Sequence, residues 1–188
     1  MPGIDLSWER YGLIAELAFR LKNKRVQFGK TALQKIVYLL QELYNVKCGY
    51  DFSLYAYGPF SKELLNDLDL VEALGGVEVQ YVTSGTGGYH IEPGKKNDWI
   101  REKAKDFLDA HGLAFDKVID EFGSLGARDL ELRATIVYAD RSLQRAGQNP
   151  SRQEFISLLK QLKPLFGIEA IEEALGDLEK KGYVSARH

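Results

Sequence analysis

The chain is short of the residues that carry several kinds of chemistry. Cys48 is the only cysteine among 188 residues. One thiol forms no intrachain disulfide, and there is no cysteine cluster of the kind that holds structural zinc. Histidine is nearly as scarce. His90, His111 and His188 stand far apart, and none takes part in the HExxH spacing of a helical metal site. No apolar run approaches the ~20 residues needed to cross a bilayer. The opening MPGIDLSWER lacks the basic-then-apolar order of a secretory signal. The expectation is a cytoplasmic protein with no cofactor and no metal.

Positive charge is also missing as a surplus. The 25 basic and 27 acidic side chains leave a net charge of −2, with 9 against 11 in residues 1–94 and 16 of each in residues 95–188. A protein that wraps nucleic acid needs cations in excess, because phosphate contacts supply most of its affinity. Any basic surface here is therefore local. Familiar catalytic patterns are missing too. GxSxG does not occur, and FGKTALQK (28–35) lacks the upstream glycine and preceding strand of a phosphate-binding loop. Acidic pairs abound in NDLDLVE and EAIEEALGDLE. Nothing in the pattern sets two carboxylates in the contrasting environments that acid–base catalysis requires.

What is present describes a packed globular chain. Hydrophobic residues make up 45% and charged residues 28%, and the length suffices to bury a core. Leu13, Ile14, Leu17, Ala18 and Leu21 recur at helical spacing behind Ser7, a candidate cap. A second helix is predicted over 31–44, with Leu33, Ile36, Val37, Leu40 and Leu43 on one face. DFSLYAY (51–57) alternates as a strand, and VEVQYVTSGTGGYHIEP (77–93) reads as a hairpin around a glycine-rich turn. Between them a third helix runs to about Leu74, stopped by Gly75 and Gly76. GKKND (94–98) marks the expected junction between a first unit, 1–94, and a second, 95–188. Beyond it every element reads as helix: 99–110, 113–122, 128–145, one that starts at NPSRQE with Ser151 and Glu154 as a capping box, and 168–181. The fold class is α+β, mainly helical.

The stretch YAYGPFS (55–61) is the most unusual in composition. Pro59 suits the first turn of a helix and pushes Gly58 toward extended backbone, and Ser61 suits an early orphan N–H. The reading is a strand-to-helix corner, architectural rather than catalytic, with tyrosines that bury rings and keep hydroxyls wet. The basic residues Lys22, Lys24, Arg25, Lys30 and Lys35 are the candidates for phosphate contact, although cations at the end of the first helix also complement its dipole.

Two motifs together resemble the YwgA-like family of bacterial and archaeal proteins, and more distantly the SocA/Panacea antitoxin domain. One is Leu33, Gln34, Lys35 and Tyr38 on a helix; the other is Tyr57, Gly58, Pro59, Phe60 and Ser61 at a corner. The match covers about residues 10–92. The resemblance implies a regulatory or partner-binding role and brings no catalytic residue set. Three helices, a strand and a hairpin also resemble a winged helix, in which case 1–94 is a winged-helix-like core and 95–188 a helical extension. The helix in the reading position, 60–75, carries Lys62 against Glu63, Asp67, Asp69 and Glu72. A DNA-reading helix brings cations and amides to its site. The expected function is therefore a non-enzymatic regulator that binds a protein partner, antitoxin-like or adaptor-like. The alternative is a winged-helix DNA-binding transcription regulator. The expected partner surface comprises Tyr55, Tyr57, Glu63, Asp67 and Asp69. The acids are four and two residues apart, and Glu63 and Asp67 share a face.

Overall fold

A computed structural model describes residues 7–23, 27–83 and 87–187. The order along the chain is α1 (Trp8–Leu21), α2 (Lys30–Tyr44), β1 (Ser53–Tyr55), β2 (Gly58–Phe60), α3 (Lys62–Ala73), β3 (Val77–Val82) and β4 (Gly88–Pro93). Five helices follow: α4 (Asn97–Lys103), α5 (Lys105–Phe122), α6 (Ala127–Arg145), α7 (Arg152–Leu162) and α8 (Ile168–Lys180). The protein is α+β and mainly helical, with two small antiparallel hairpins, β1–β2 and β3–β4.

α2 is the central helix. Every residue from Ala32 to Leu40 is buried, including Gln34 and Lys35. It packs on α5, α6 and β2, while α1 packs on α3, α4 and α5. A helix buried on all sides needs apolar residues all round, and the two polar exceptions therefore need partners. The helix stops at Asn45, which takes a left-handed φ of 54° and turns its N–H back to Leu40. The buried apolar side chains form one cluster from Tyr11 to Val184, so packing is continuous across residue 94. None of the helices among the described residues is long and apolar enough to cross a membrane.

The second hairpin follows the alternation of its sequence, with Tyr81 opposite Tyr89 and Val79 opposite Ile91. The tyrosine rings meet edge to face at 5.4 Å. The N–H of Ile91 donates to the carbonyl of Phe28 at 2.7 Å, which fastens β4 to the approach to α2. At the start of α7, Ser151 and Glu154 form the reciprocal capping box that their spacing predicts.

Three expectations are corrected. The strand at 51–57 is instead a tight hairpin. The chain folds back at Ala56 and Tyr57, and Pro59 lies in β2 opposite Leu54 rather than in the first turn of α3. Gly58 has φ +88°, not extended backbone; the reversal demands a conformation that glycine adopts without steric cost. Ser7 and Ser61 precede helices but neither side chain makes a cap bond. Finally, the break expected near Gly112 occurs at Ala104. A Cβ on Gly12 of α1 would come within 2.1 Å of the Ala104 Cβ, so α1 and α4 meet at van der Waals contact there. Gly112 lies on an open face with nothing near it, where a glycine weakens a helix by about 1 kcal/mol without ending it.

Candidate functional site

The β1–β2 hairpin is held by side chains from three helices or their loops. Gln34 of α2 binds the backbone of Ser61 in both senses. Its Nε2 donates to the Ser61 carbonyl at 2.8 Å, and its Oε1 accepts from the Ser61 N–H at 2.8 Å. The next residue, Lys35, donates from Nζ to the Pro59 carbonyl at 2.9 Å. From the loop after α7, Lys163 donates to the Ala56 carbonyl at 2.6 Å and to Glu131 Oε1 of α6 at 2.6 Å. Thr135 of α6 bonds back to the Glu131 carbonyl and lies against Gly58. Buried backbone groups must be bonded somewhere. The buried polar residues of the Leu-Gln-Lys motif serve the Tyr-Gly-Pro-Phe-Ser motif, and this contact links the two halves of the sequence signature.

The charges around the hairpin do not balance. Lys35 and Lys163 are 2% and 4% exposed, and they share one nearby carboxylate, Glu131. Burial pulls Lys35 down to about 8; Glu131 opposes that shift, and Lys163 adds to it. The backbone is thus anchored over an excess of positive charge.

Beside the hairpin lies an open cleft of about 520 Å³. Tyr57 forms one lip and is 70% exposed; Leu165, from the loop between α7 and α8, is 86% exposed. Leu162 and Phe166 continue the apolar wall, and Arg128, Glu131 and Lys163 supply its charged groups. Arg128 lies over the Phe166 ring at 4.8 Å and donates to the Leu165 carbonyl at 2.9 Å. Apolar walls with a few convergent polar groups are the usual make-up of a binding site.

The residues expected at a partner surface are divided between two places. Tyr55 and Tyr57 are both exposed on the hairpin, with Tyr55 against Phe60 at 5.1 Å. Asp69 is exposed on α3. Glu63 and Asp67 both bind Arg10 of α1, at 3.0 and 2.6 Å, although the Glu63 side chain stays 55% exposed. Asp67 also accepts from the Tyr50 hydroxyl at 2.8 Å, and its side chain is only 13% exposed, so it is an internal tie rather than a rim charge. Of the basic candidates, Lys22 is exposed, and Lys30 lies over the Tyr89 ring at 4.3 Å. Lys24 and Arg25 lie outside the described residues. Lys35 is corrected outright: a side chain buried to 2% exposure and bonded to Pro59 does not reach a phosphate.

Of the histidines, His90 pairs with Glu92 at 3.2 Å and His111 lies against Phe107; His188 is outside the described residues. Among the described residues, no group of three or more His, Cys, Asp or Glu side chains is placed to hold a metal. Cys48 is buried, which pushes its thiol up to about 12 and leaves it inert as a nucleophile. The sequence reading missed Arg128, Glu131, Lys163 and Leu165. The available signal was Lys-Pro-Leu-Phe-Gly at 163–167, two apolar residues in a loop bounded by proline and glycine. In comparison with known protein families and with curated proteins, no family model and no curated protein matches the chain.

Proposed function

We propose that the chain is a non-enzymatic regulatory protein of the cytoplasm that binds another protein at the lip formed by Tyr57 and Leu165. One observation carries the reading. Two large side chains, Tyr57 and Leu165, stand exposed at 70% and 86% and line one cleft, the first of them on a turn fixed by bonds from Lys163 and Lys35. Exposed tyrosines on a fixed turn are common interface anchors, since they contribute contact area with little loss of conformational entropy, and an apolar neighbour extends that area. The two-part motif supports the same reading, because it resembles the YwgA-like and SocA/Panacea proteins and their partner-binding role. In this reading α1–α3 with the β3–β4 hairpin form a winged-helix-like core and α4–α8 a helical extension. A DNA-binding role would draw on Lys22, Lys24, Arg25 and Lys30 without Lys35, and no observation favours it.

The experiment is site-specific photo-crosslinking in the native host. A photoreactive residue replaces Leu165 in one strain and Leu113 in another; Leu113 is a control on α5 at 78% exposure. The reading expects one protein crosslinked from position 165 and not from 113. Identical crosslinks from both positions, or none from 165, would defeat it.

A further inference from the structure

We infer that the occupant of this cleft is an acidic, extended segment of the partner protein, with one aromatic or branched apolar side chain seated beside a carboxylate. The inference rests on the docking reading above and adds the chemistry of what docks. The charge on the cleft wall is the first ground. Arg128 and Lys163 line it against the single carboxylate of Glu131, and Lys163 already binds that carboxylate at 2.6 Å. Lys35 lies directly behind, its Cε 3.3 Å from where a Gly58 Cβ would stand. Lys35 and Lys163 are buried, and Lys163 is paired with Glu131, so Arg128 is the exposed cation that an incoming carboxylate meets, backed by the buried positive charge.

The second ground is the state of Arg128. Its guanidinium has five N–H donors in a planar fork. Among the described residues one donor is used, on the Leu165 carbonyl. The Phe166 ring beneath it holds the plane in place. A fork fixed in this way suits bidentate binding of a carboxylate. Asp129 and Glu173 line an adjoining groove that shares Arg128 and Phe166 with this cleft, and neither acid lines the cleft itself. The third ground is the apolar surface between these charges and the lips. Leu162, Phe166 and the Tyr57 ring offer contact to one apolar side chain, not to a run of charges. Open and exposed lips favour a chain passing across the cleft over an enclosed small molecule.

The test uses the full chain and fluorescein-labelled peptides in fluorescence anisotropy, at low and high salt. The probes are EEFLDE, its basic counterpart KKFLKK, its apolar-deleted counterpart EEGGDE, and a labelled oligo-dT. The variants are Arg128→Ala and Leu165→Ser, both at exposed positions, so folding is retained and is checked by circular dichroism. The expected result is saturable binding of EEFLDE, weakened about tenfold by either variant and by high salt, with KKFLKK, EEGGDE and oligo-dT weaker by about tenfold or more. Equal or tighter binding of KKFLKK or oligo-dT overturns the inference. So does EEFLDE binding that neither variant changes, or no EEFLDE binding at millimolar concentration. If a partner crosslinked from position 165 is itself insensitive to Arg128→Ala, the acidic occupant falls and the docking site stands. If no protein crosslinks from 165, the docking site falls with it.

Discussion

Replacing Lys35 with methionine removes the buried ammonium that binds the Pro59 carbonyl of the β1–β2 hairpin. The Lys35 ammonium is 2% exposed, and burial brings its pKa from 10.5 to about 8. Between these two values the unfolded chain holds the proton and the folded chain has lost it. The unfolded state then binds more protons, so stability rises with pH through this window. Below pH 8 the folded protein carries the whole cost of the buried charge, roughly 3 kcal/mol at 1.36 kcal/mol per pKa unit. Going from pH 7 to pH 9.5 relieves about 2 kcal/mol of it. The Lys35→Met protein has no such relief. Urea unfolding of both proteins at the two pH values isolates the effect, because the other titrating groups are common to both. Burial also drives the tyrosine hydroxyls of Tyr38, Tyr44 and Tyr50 upward; those groups cost stability only as the pH passes about 10, above the range used. The wild type should gain about 2 kcal/mol relative to the variant on going to pH 9.5. A difference that stays constant within about 0.5 kcal/mol would refute a buried, charged Lys35.

Gln34→Leu should destabilise the fold by about 2–4 kcal/mol in urea unfolding, because it leaves the Ser61 N–H and carbonyl unpaired in the core; a loss under 1 kcal/mol would mean that the two bonds are replaced locally. Gly58→Val should cost about 3 kcal/mol, since φ is +88° and an added Cβ sits 3.0 Å from the Thr135 hydroxyl; an unchanged melting temperature would contradict the hairpin geometry. Asp140→Ala should cost about 3–5 kcal/mol by leaving the Arg187 guanidinium buried without its carboxylate; Asp140→Ala with Arg187→Met should recover part of that loss, and a double variant no better than the single would contradict it.

Most helices were legible because their apolar residues recur at 3.6-residue spacing between recognisable ends, as at Ser151 and Glu154 or at Gly75. The β3–β4 hairpin was legible from its alternation and its glycines. The first hairpin was not: Ala56 and Tyr57 carry no turn signature, and the residue that permits the reversal, Gly58, comes one position later. Alternation of Phe52, Leu54 and Ala56 describes one strand and two equally well. Gly112 read as a helix end because glycine usually is one, whereas the break falls at Ala104, where Gly12 of α1 packs closely. Lys35 read as a surface cation because lysine is seldom buried. Its carbonyl partner lies in another element 24 residues along, and no local pattern encodes that pairing. The cleft was invisible for the same reason. Tyr57 was legible as a candidate anchor, but its counterpart Leu165 lies across the fold, and only tertiary structure brings the two to one opening.

The most direct test is isothermal titration calorimetry of the crosslinked partner, purified, against the wild type and against a Tyr57→Ser, Leu165→Ser double variant. Both side chains are exposed, so the double variant should melt with the wild type. Loss of two central apolar anchors should weaken binding about 100-fold or more. Wild-type affinity in a folded double variant would contradict the claim that this lip is where the partner docks.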